Sequence, residues 1–192
     1  MLVESIGEMD RKLLKNGSQV IIKASGERYI TGLSDLINRL VREEGDAGLL
    51  ISTRWSSNAL HRRIGFSKLP KGSLKVIDTI SLSLGSRPAS DPYFIFIPTP
   101  APLESILIAV ERSLKKGSKE MGFLMIDSLT YLKDHYTEGQ LNEFFHYILN
   151  RMLENDISTF IFDQETGDGT AVSRRLASLM DNTVEIGGGG EE

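Results

Sequence analysis

One short stretch, "SGERYITGLS", follows a buried-looking strand and opens a helical pattern, and its residue types could bind phosphate. A phosphate-binding loop needs G-x-x-x-x-G-K-[ST], in which backbone N–H groups wrap the phosphates, the lysine meets the β/γ oxygens and the hydroxyl holds Mg²⁺. Counted from Gly26, the second glycine should stand at Thr31, but it follows one residue later as Gly32. With that inserted residue, Leu33 takes the lysine position and Ser34 the hydroxyl position.

These residues allow two interpretations. A leucine cannot offset the charge of a γ-phosphate, so the favoured interpretation is a plain strand–turn–helix connection with Thr31 or Ser34 as the helix N-cap. The alternative is a phosphate site without its cation, because a helix N-terminus still attracts anions.

A second candidate is Asp127, which ends the apolar run of "FLMID". Nucleotide enzymes place a Mg²⁺-directed carboxylate at the end of such a strand. An aspartate in this position also caps the segment that follows, so the residue alone indicates no particular chemistry.

The elements that would position these residues alternate along the chain. Short apolar runs predict strands covered on both faces, and stripes with helical spacing separate them. The runs lie at 19–24, 48–53, 74–79, 93–97, 123–127, 158–162 and 183–186. The clearest stripes are Leu33, Leu36, Ile37, Leu40 and Val41; Leu103, Ile106, Leu107, Val110 and Leu114; and Leu141, Phe144, Phe145, Ile148, Leu149, Met152 and Leu153. This alternation predicts a three-layer α/β fold with a mostly parallel central sheet.

We expect 1–186 to form a single domain and the glycine-rich end at 187–192 to be a flexible tail. The strand at 19–24 should lie in the interior of the sheet beside 123–127.

Composition narrows the function classes. The chain has 192 residues, a net charge of −4 and no cysteine, and its three histidines have no ligand-like spacing, so we expect no metal site. Overall acidity argues against nucleic acid as a partner. No apolar run approaches the roughly 18–20 residues that span a bilayer, and the N-terminal residues do not resemble a signal peptide. We therefore expect a cytoplasmic protein without a membrane segment.

One segment departs from this acidity. Between Ala47 and Ile77 there is no acid, and six cations fall there: Arg54, Arg62, Arg63, Lys68, Lys71 and Lys75. The favoured interpretation is a solvated helix and loop. The alternative is a docking surface for an acidic partner, a nucleotide phosphate or nucleic acid.

Read together, the motifs resemble the KaiC-like members of the RecA superfamily. "IGEMDRKLLKNGSQVIIKASG" resembles the entry to their phosphate loop, and "GLLIST" with "SSNALHRRIG" resembles their second strand and its helix. "FLMIDSLTYL" is similar to their Walker B strand, and "FIFDQ" to a strand that ends in a polar phosphate-sensing residue, here Gln164. The resemblance covers about residues 6–186 and implies a RecA-like P-loop NTPase fold.

Departures from the family pattern bear on activity. The resemblance implies a pair of glutamates after the second strand, where this chain has "TRWSS", and it implies the lysine that Leu33 replaces. Losing general-base action alone costs on the order of 10²–10⁴ in rate. We therefore expect a degenerate Walker A loop, no catalytic residues, and a vestigial nucleotide site at Gly32, Ser34, Asp127 and Gln164.

The expected function is that of a catalytically inactive KaiC-like domain that serves as a regulatory or assembly module. It would act by self-association or by binding a protein partner, and it would need no cofactor. One alternative is a sensor that binds ATP and Mg²⁺ weakly. Another is a weak ATPase that uses Arg28, Arg54 or Lys23 in place of the lysine. Trp55, beside Arg54, either packs on its own domain or belongs to an interface, since both residue types are enriched at interface hot spots.

Overall fold

The computed structural model describes residues 1–85, 92–98, 101–116, 121–164 and 170–187. Eight strands lie in this part of the chain. They are β1 (Leu2–Val3), β2 (Gln19–Ala24), β3 (Ala47–Ser52), β4 (Leu74–Asp78), β5 (Phe94–Phe96), β6 (Met121–Ile126), β7 (Ser158–Asp163) and β8 (Asn182–Ile186). The seven predicted strands are confirmed within two residues at either end. The two-residue β1 was not predicted because it is too short to show a pattern.

Six α-helices connect the strands in the described residues. They are α1 (Gly26–Asn38), α2 (Ser57–Ile64), α3 (Leu103–Lys116), α4 (Leu129–His135), α5 (Glu138–Leu153) and α6 (Ala171–Leu179). Short 3₁₀ turns lie at Ile6–Glu8, Arg11–Leu14 and Phe66–Lys68, and a π-helical turn at Arg39–Glu43 extends α1. Most of the predicted tail, 188–192, lies outside the described residues. No helix among those described has the length and apolar character needed to cross a bilayer.

The strands form one sheet in the order β1-β8-β2-β7-β6-β3-β4-β5, and every neighbouring pair is parallel. The predicted parallel α/β architecture is confirmed, as is the interior position of β2. The prediction that β2 lies beside β6 is wrong, because β7 lies between them: Ile161 pairs with both Ile21 and Ile126. β6 and β7 both carry a run of buried apolar residues, so the sequence pattern does not tell which of the two adjoins β2.

Each face of the sheet has its own apolar core. Along β2, Val20 and Ile22 face the core under α1 and α2, whereas Ile21 faces the core under the other four helices. Because side chains alternate across a strand, the apolar run in the middle of β2 supplies residues to both cores. The result is the predicted three-layer arrangement.

The helical stripes form these cores. All five residues of the α1 stripe, which runs from Leu33 to Val41, are buried, and so are the α5 residues of the third stripe from Leu141 to Met152. Leu153 is the exception in α5, with 47% of its surface exposed. It is the last residue of that helix, where the stripe leaves the sheet.

A close contact between β3 and β6 depends on a glycine. The pairing shifts by one residue between Ala47 and Gly48, so Gly122 is an extra residue in β6 and Gly48 lies opposite Phe123. A Cβ added to Gly48 would lie 2.1 Å from Cζ of the Phe123 ring, which is fully buried. The ring therefore packs directly on the Gly48 backbone.

Gly48→Ala should lower the free energy of unfolding by about 3 kcal/mol, because neither the buried ring nor the backbone has room to move. Gly139→Ala, in the first turn of α5 with open space around its Cα, is the matched control and should be neutral or stabilising by up to about 1 kcal/mol. Urea denaturation measures both. Combining Gly48→Ala with Phe123→Leu should cost less than the sum of the two single changes; strict additivity would contradict the packing.

Candidate functional site

The junction of β2 and α1 leaves no room for a phosphate loop of ordinary length. Ser25 is the only residue between the strand and the helix, and it is the N-cap. The predicted N-cap at Thr31 or Ser34 is therefore wrong. The backbone N–H groups of residues 31–34 lie beyond the first helical turn, so they are used in intrahelical hydrogen bonds rather than free to wrap an anion.

Gly32 and Leu33 face the core. A Cβ on Gly32 would lie 2.9 Å from Cδ1 of Ile186 and 3.7 Å from the Phe162 ring. Leu33 is only 1% exposed. In this position the glycine lets α1 approach β8 closely, and the leucine that stands at the expected lysine position is a core residue.

Ser34 points toward α2, away from the strand ends. Its hydroxyl lies 3.5 Å from the carbonyl oxygen of Arg63, at the limit of a hydrogen bond. Asn38 donates to the backbone carbonyl of Ser34 at 2.8 Å. None of the hydrogen bonds among the described residues joins Ser34 to Asp127, the other half of the expected Mg²⁺ site.

Asp127 follows β6 and is fully buried, and the loop between β3 and α2 surrounds its carboxylate. Oδ1 accepts hydrogen bonds from the Thr53 N–H and the Thr53 hydroxyl, both at 2.8 Å. Oδ2 accepts from the Ser52 hydroxyl at 2.6 Å and from the Arg54 N–H at 3.4 Å. Burial raises the pKa of Asp127, and these hydrogen bonds oppose the rise. Both carboxylate oxygens are therefore engaged by the protein itself.

Tyr29 fills the space above the end of β6. Its hydroxyl donates to the backbone carbonyl of Asp127, its ring meets Phe162 edge-on at 5.9 Å, and 1% of its surface is exposed. Burial, and then the Asp127 carboxyl, raise the pKa of Tyr29 far above its ordinary value, so the phenol stays protonated as a donor. Sequence reasoning missed this residue. The available signal was an aromatic residue in the first turn of the helix that follows β2.

Arg54 and Trp55 cover Tyr29 from the solvent side. The Arg54 guanidinium lies 5.5 Å from the Tyr29 ring centroid and 5.2 Å from that of Trp55, and Arg63 lies 4.4 Å from the Trp55 ring. The indole is partly buried against the core beneath α1 and α2. Trp55 thus packs on its own domain, which was one of its two predicted roles.

Gln164 lies next to a different polar cluster. Its backbone N–H donates to the Thr130 hydroxyl at 3.2 Å, and the same hydroxyl donates to Asp163 at 2.8 Å. Lys133 contacts Asp163 at 3.4 Å and the Ser173 hydroxyl at 2.9 Å. A buried serine beside a lysine can form a nucleophilic pair, but this Ser173 hydroxyl donates to Asp163 at 3.1 Å. Lys133 and Ser173 both contact the Asp163 carboxylate, so neither is placed as a free nucleophile or base.

A third strand, β4, also ends in a buried aspartate whose carboxylate is hydrogen-bonded by the protein. Asp78, at the end of β4, accepts hydrogen bonds from the Ser57 N–H at 2.8 Å and the Ser81 hydroxyl at 2.5 Å. Asp78, Asp127 and Asp163 are all fully buried, and each fastens the strand end to the next loop or helix. Parallel strands bring their carboxyl ends to one edge of the sheet, where ligands usually bind. At this edge the three carboxylates bind the protein's own loops and helices.

The three cations that could replace the missing phosphate-loop lysine lie in different surroundings. Arg28 is exposed on α1, and Lys23 lies in β2, where it pairs in register with Asp163 and Glu185. Arg54 is stacked on aromatic rings as described above. Asp127 and "TRWSS" do come together, but as a carboxylate and the donors that bind it.

Comparisons with known proteins bear on the fold. No protein-family model matches the chain, and no curated protein matches it. Among solved structures it is similar to a KaiC-like protein from the hyperthermophilic archaeon Pyrococcus horikoshii OT3, with a TM-score of 0.63 and 14% identity. The likeness covers 92% of this chain and 76% of that one. At this identity the likeness shows the fold alone, and that fold is the predicted RecA-like, three-layer α/β arrangement.

Removing the Asp127 carboxylate tests its role in folding. Asp127→Ala should lower the free energy of unfolding by about 3 kcal/mol, because the buried Thr53 N–H and the partly buried Arg54 N–H lose their acceptor. Asp127→Asn should cost only about 1 kcal/mol, because its Oδ1 still accepts from Thr53 and its amide donates to the Ser52 hydroxyl. Thermal or urea unfolding separates the two. Equal stability of both variants and the wild type would contradict a structural carboxylate.

Proposed function

We propose that this chain is a KaiC-like domain without ATPase activity that acts as a regulatory or assembly module, by self-association or by pairing with a protein partner. The observation that carries the proposal is the saturated Asp127 carboxylate, whose two oxygens accept four hydrogen bonds from Ser52, Thr53 and Arg54. To coordinate Mg²⁺ or its water, the carboxylate would have to leave these donors buried and unpaired. That exchange costs about 1–3 kcal/mol for each lost bond.

The surroundings of Asp127 support the same conclusion. Phosphoryl transfer needs cations and donors positioned around the transferred group. The side chain at the expected cation position, Leu33, is buried in the core, and Tyr29 occupies the volume beside the β6 end. The loop after β3 contributes no carboxylate that could orient water. In the described part of the chain, the region around Asp127 therefore lacks the groups that usually bind ATP and those that usually hydrolyse it.

The role that remains for such a domain is to bind another protein. A RecA-type fold does not by itself specify a function, so the role has to come from surfaces rather than from the strand ends. An ATP sensor is the competing function, because the first turn of α1 keeps N–H groups that attract anions. Nucleotide binding distinguishes the two.

The purified protein should not release phosphate from ATP above background, and its affinity for ATP with Mg²⁺ should be no tighter than high micromolar. Isothermal titration calorimetry and a phosphate-release assay on the same preparation measure both. Asp127→Asn, purified identically, controls for a contaminating ATPase. Turnover present in the wild type and lost in Asp127→Asn would overturn the proposal, and tight binding without turnover would replace it by the sensor.

The assembly role predicts a particle larger than one 21.3 kDa chain at micromolar concentration. Sedimentation velocity over a concentration series measures this directly. Trp55→Phe, which keeps an aromatic ring between Arg54 and Arg63, controls for packing, whereas Trp55→Ala should weaken assembly if the ring reaches the interface. A wild type that stays monomeric at high micromolar concentration would reject self-association.

A further inference from the structure

A groove between α1 and α2 collects many of the cations of the acid-free segment. It has a volume of about 610 Å³. Its lining consists of Ser34, Asp35, Asn38, Arg42, Glu43, Arg62, Arg63, Ile64, Gly65 and Lys68. This volume is in the range of sites that hold small ligands or a few side chains.

The charges of the groove are positive on balance. Four cations line it against two carboxylates, in a chain whose net charge is −4. Arg62, Arg63 and Lys68 are exposed and form no ion pair with any residue that the structure describes. Of the two carboxylates, Glu43 already contacts Arg39 at 3.9 Å. The cations are therefore available to an anionic partner.

Two of the guanidinium groups are held in place. Arg42 donates from Nη2 to the backbone carbonyl of Lys68 at 2.9 Å, which ties the π-helical turn after α1 to the 3₁₀ turn after α2. Arg63 lies over the Trp55 ring at 4.4 Å. A side chain that is already ordered loses less conformational entropy when it binds, so both are favourable anchors for a carboxylate.

From these features we propose that the α1–α2 groove docks an acidic segment of a partner protein. Guanidinium groups bind carboxylates with two parallel hydrogen bonds. A continuous polyanion fits less well, because Asp35 and Glu43 lie in the groove and the negative end of the α2 dipole points toward it. Acidic side chains spaced along a peptide can meet the cations and avoid these carboxylates. The inference rests on the proposed assembly role and assigns a surface to it.

The test uses a fluorescein-labelled hexapeptide of alternating glutamate and glycine, with a glutamine-for-glutamate version as the neutral control. Fluorescence anisotropy should show saturable binding to the wild type that weakens as salt is raised from about 0.05 to 0.3 M. The double variant Arg62→Glu/Lys68→Glu should bind at least about tenfold more weakly. Arg62→Gln/Lys68→Gln, with no charge reversal at the end of α2, should weaken binding in the same direction.

The matched control is Arg112→Glu/Lys115→Glu on α3, which makes the same change in net charge on the opposite face of the sheet. It should bind the peptide within about twofold of the wild type. Thermal unfolding of each variant checks that the fold is retained. No binding to the wild type up to millimolar peptide, or equal weakening by the α3 variant, would overturn the proposal.

A single-stranded oligothymidylate with the same number of charges tests the other class of partner. Tighter binding of this DNA through the same two cations would replace the acidic segment with nucleic acid and overturn the proposal. Phosphate release measured on these samples separates the two inferences. ATP turnover together with groove-dependent peptide binding would reject the proposed function but support the docking site. Absence of both turnover and peptide binding would reject the docking site alone.

Discussion

The hydrogen bonds to the buried Asp127 carboxylate are the interaction on which the arrangement of the strand ends depends. They join the end of β6 to the end of β3 through Ser52, Thr53 and the Arg54 N–H. A buried carboxylate is costly unless it is fully hydrogen-bonded, so the loop after β3 has to keep this conformation. The loop in turn sets where Arg54 and Trp55 lie.

Tyr29 depends on the same residue from the other side. Its hydroxyl needs a buried acceptor, which the Asp127 carbonyl supplies, and its ring needs the short β2–α1 connection that brings the first turn of α1 over the sheet. Arg54 then covers the ring. The end of β6 is thus surrounded by contacts that support one another. The same logic applies at Asp78 and Asp163, which bind the loops and helices next to them.

The carboxylates at the strand ends bind the protein itself, so the candidate functional surface is sought in the helical layer of α1 and α2. The exposed charges of α1, α2 and the turns after them lie on the helical layer rather than at the sheet edge. Trp55 connects the two regions, since it packs on the core beneath both helices and is stacked between Arg54 and Arg63. The proposed docking groove lies in this helical layer.

The sequence by itself determined the fold class, the strands and the helical stripes, because burial imposes periodicities of two and 3.6 that are local to each segment. It also placed Asp127 at a strand end. Only the tertiary structure decided that β7 separates β2 from β6, that Gly32 and Leu33 are core residues, and that Tyr29 and the β3 loop bind Asp127. These facts depend on contacts between residues far apart in the chain, such as Tyr29 with Asp127 and Gly32 with Ile186. An apolar strand or a lone aspartate carries no local signal that names its distant partner.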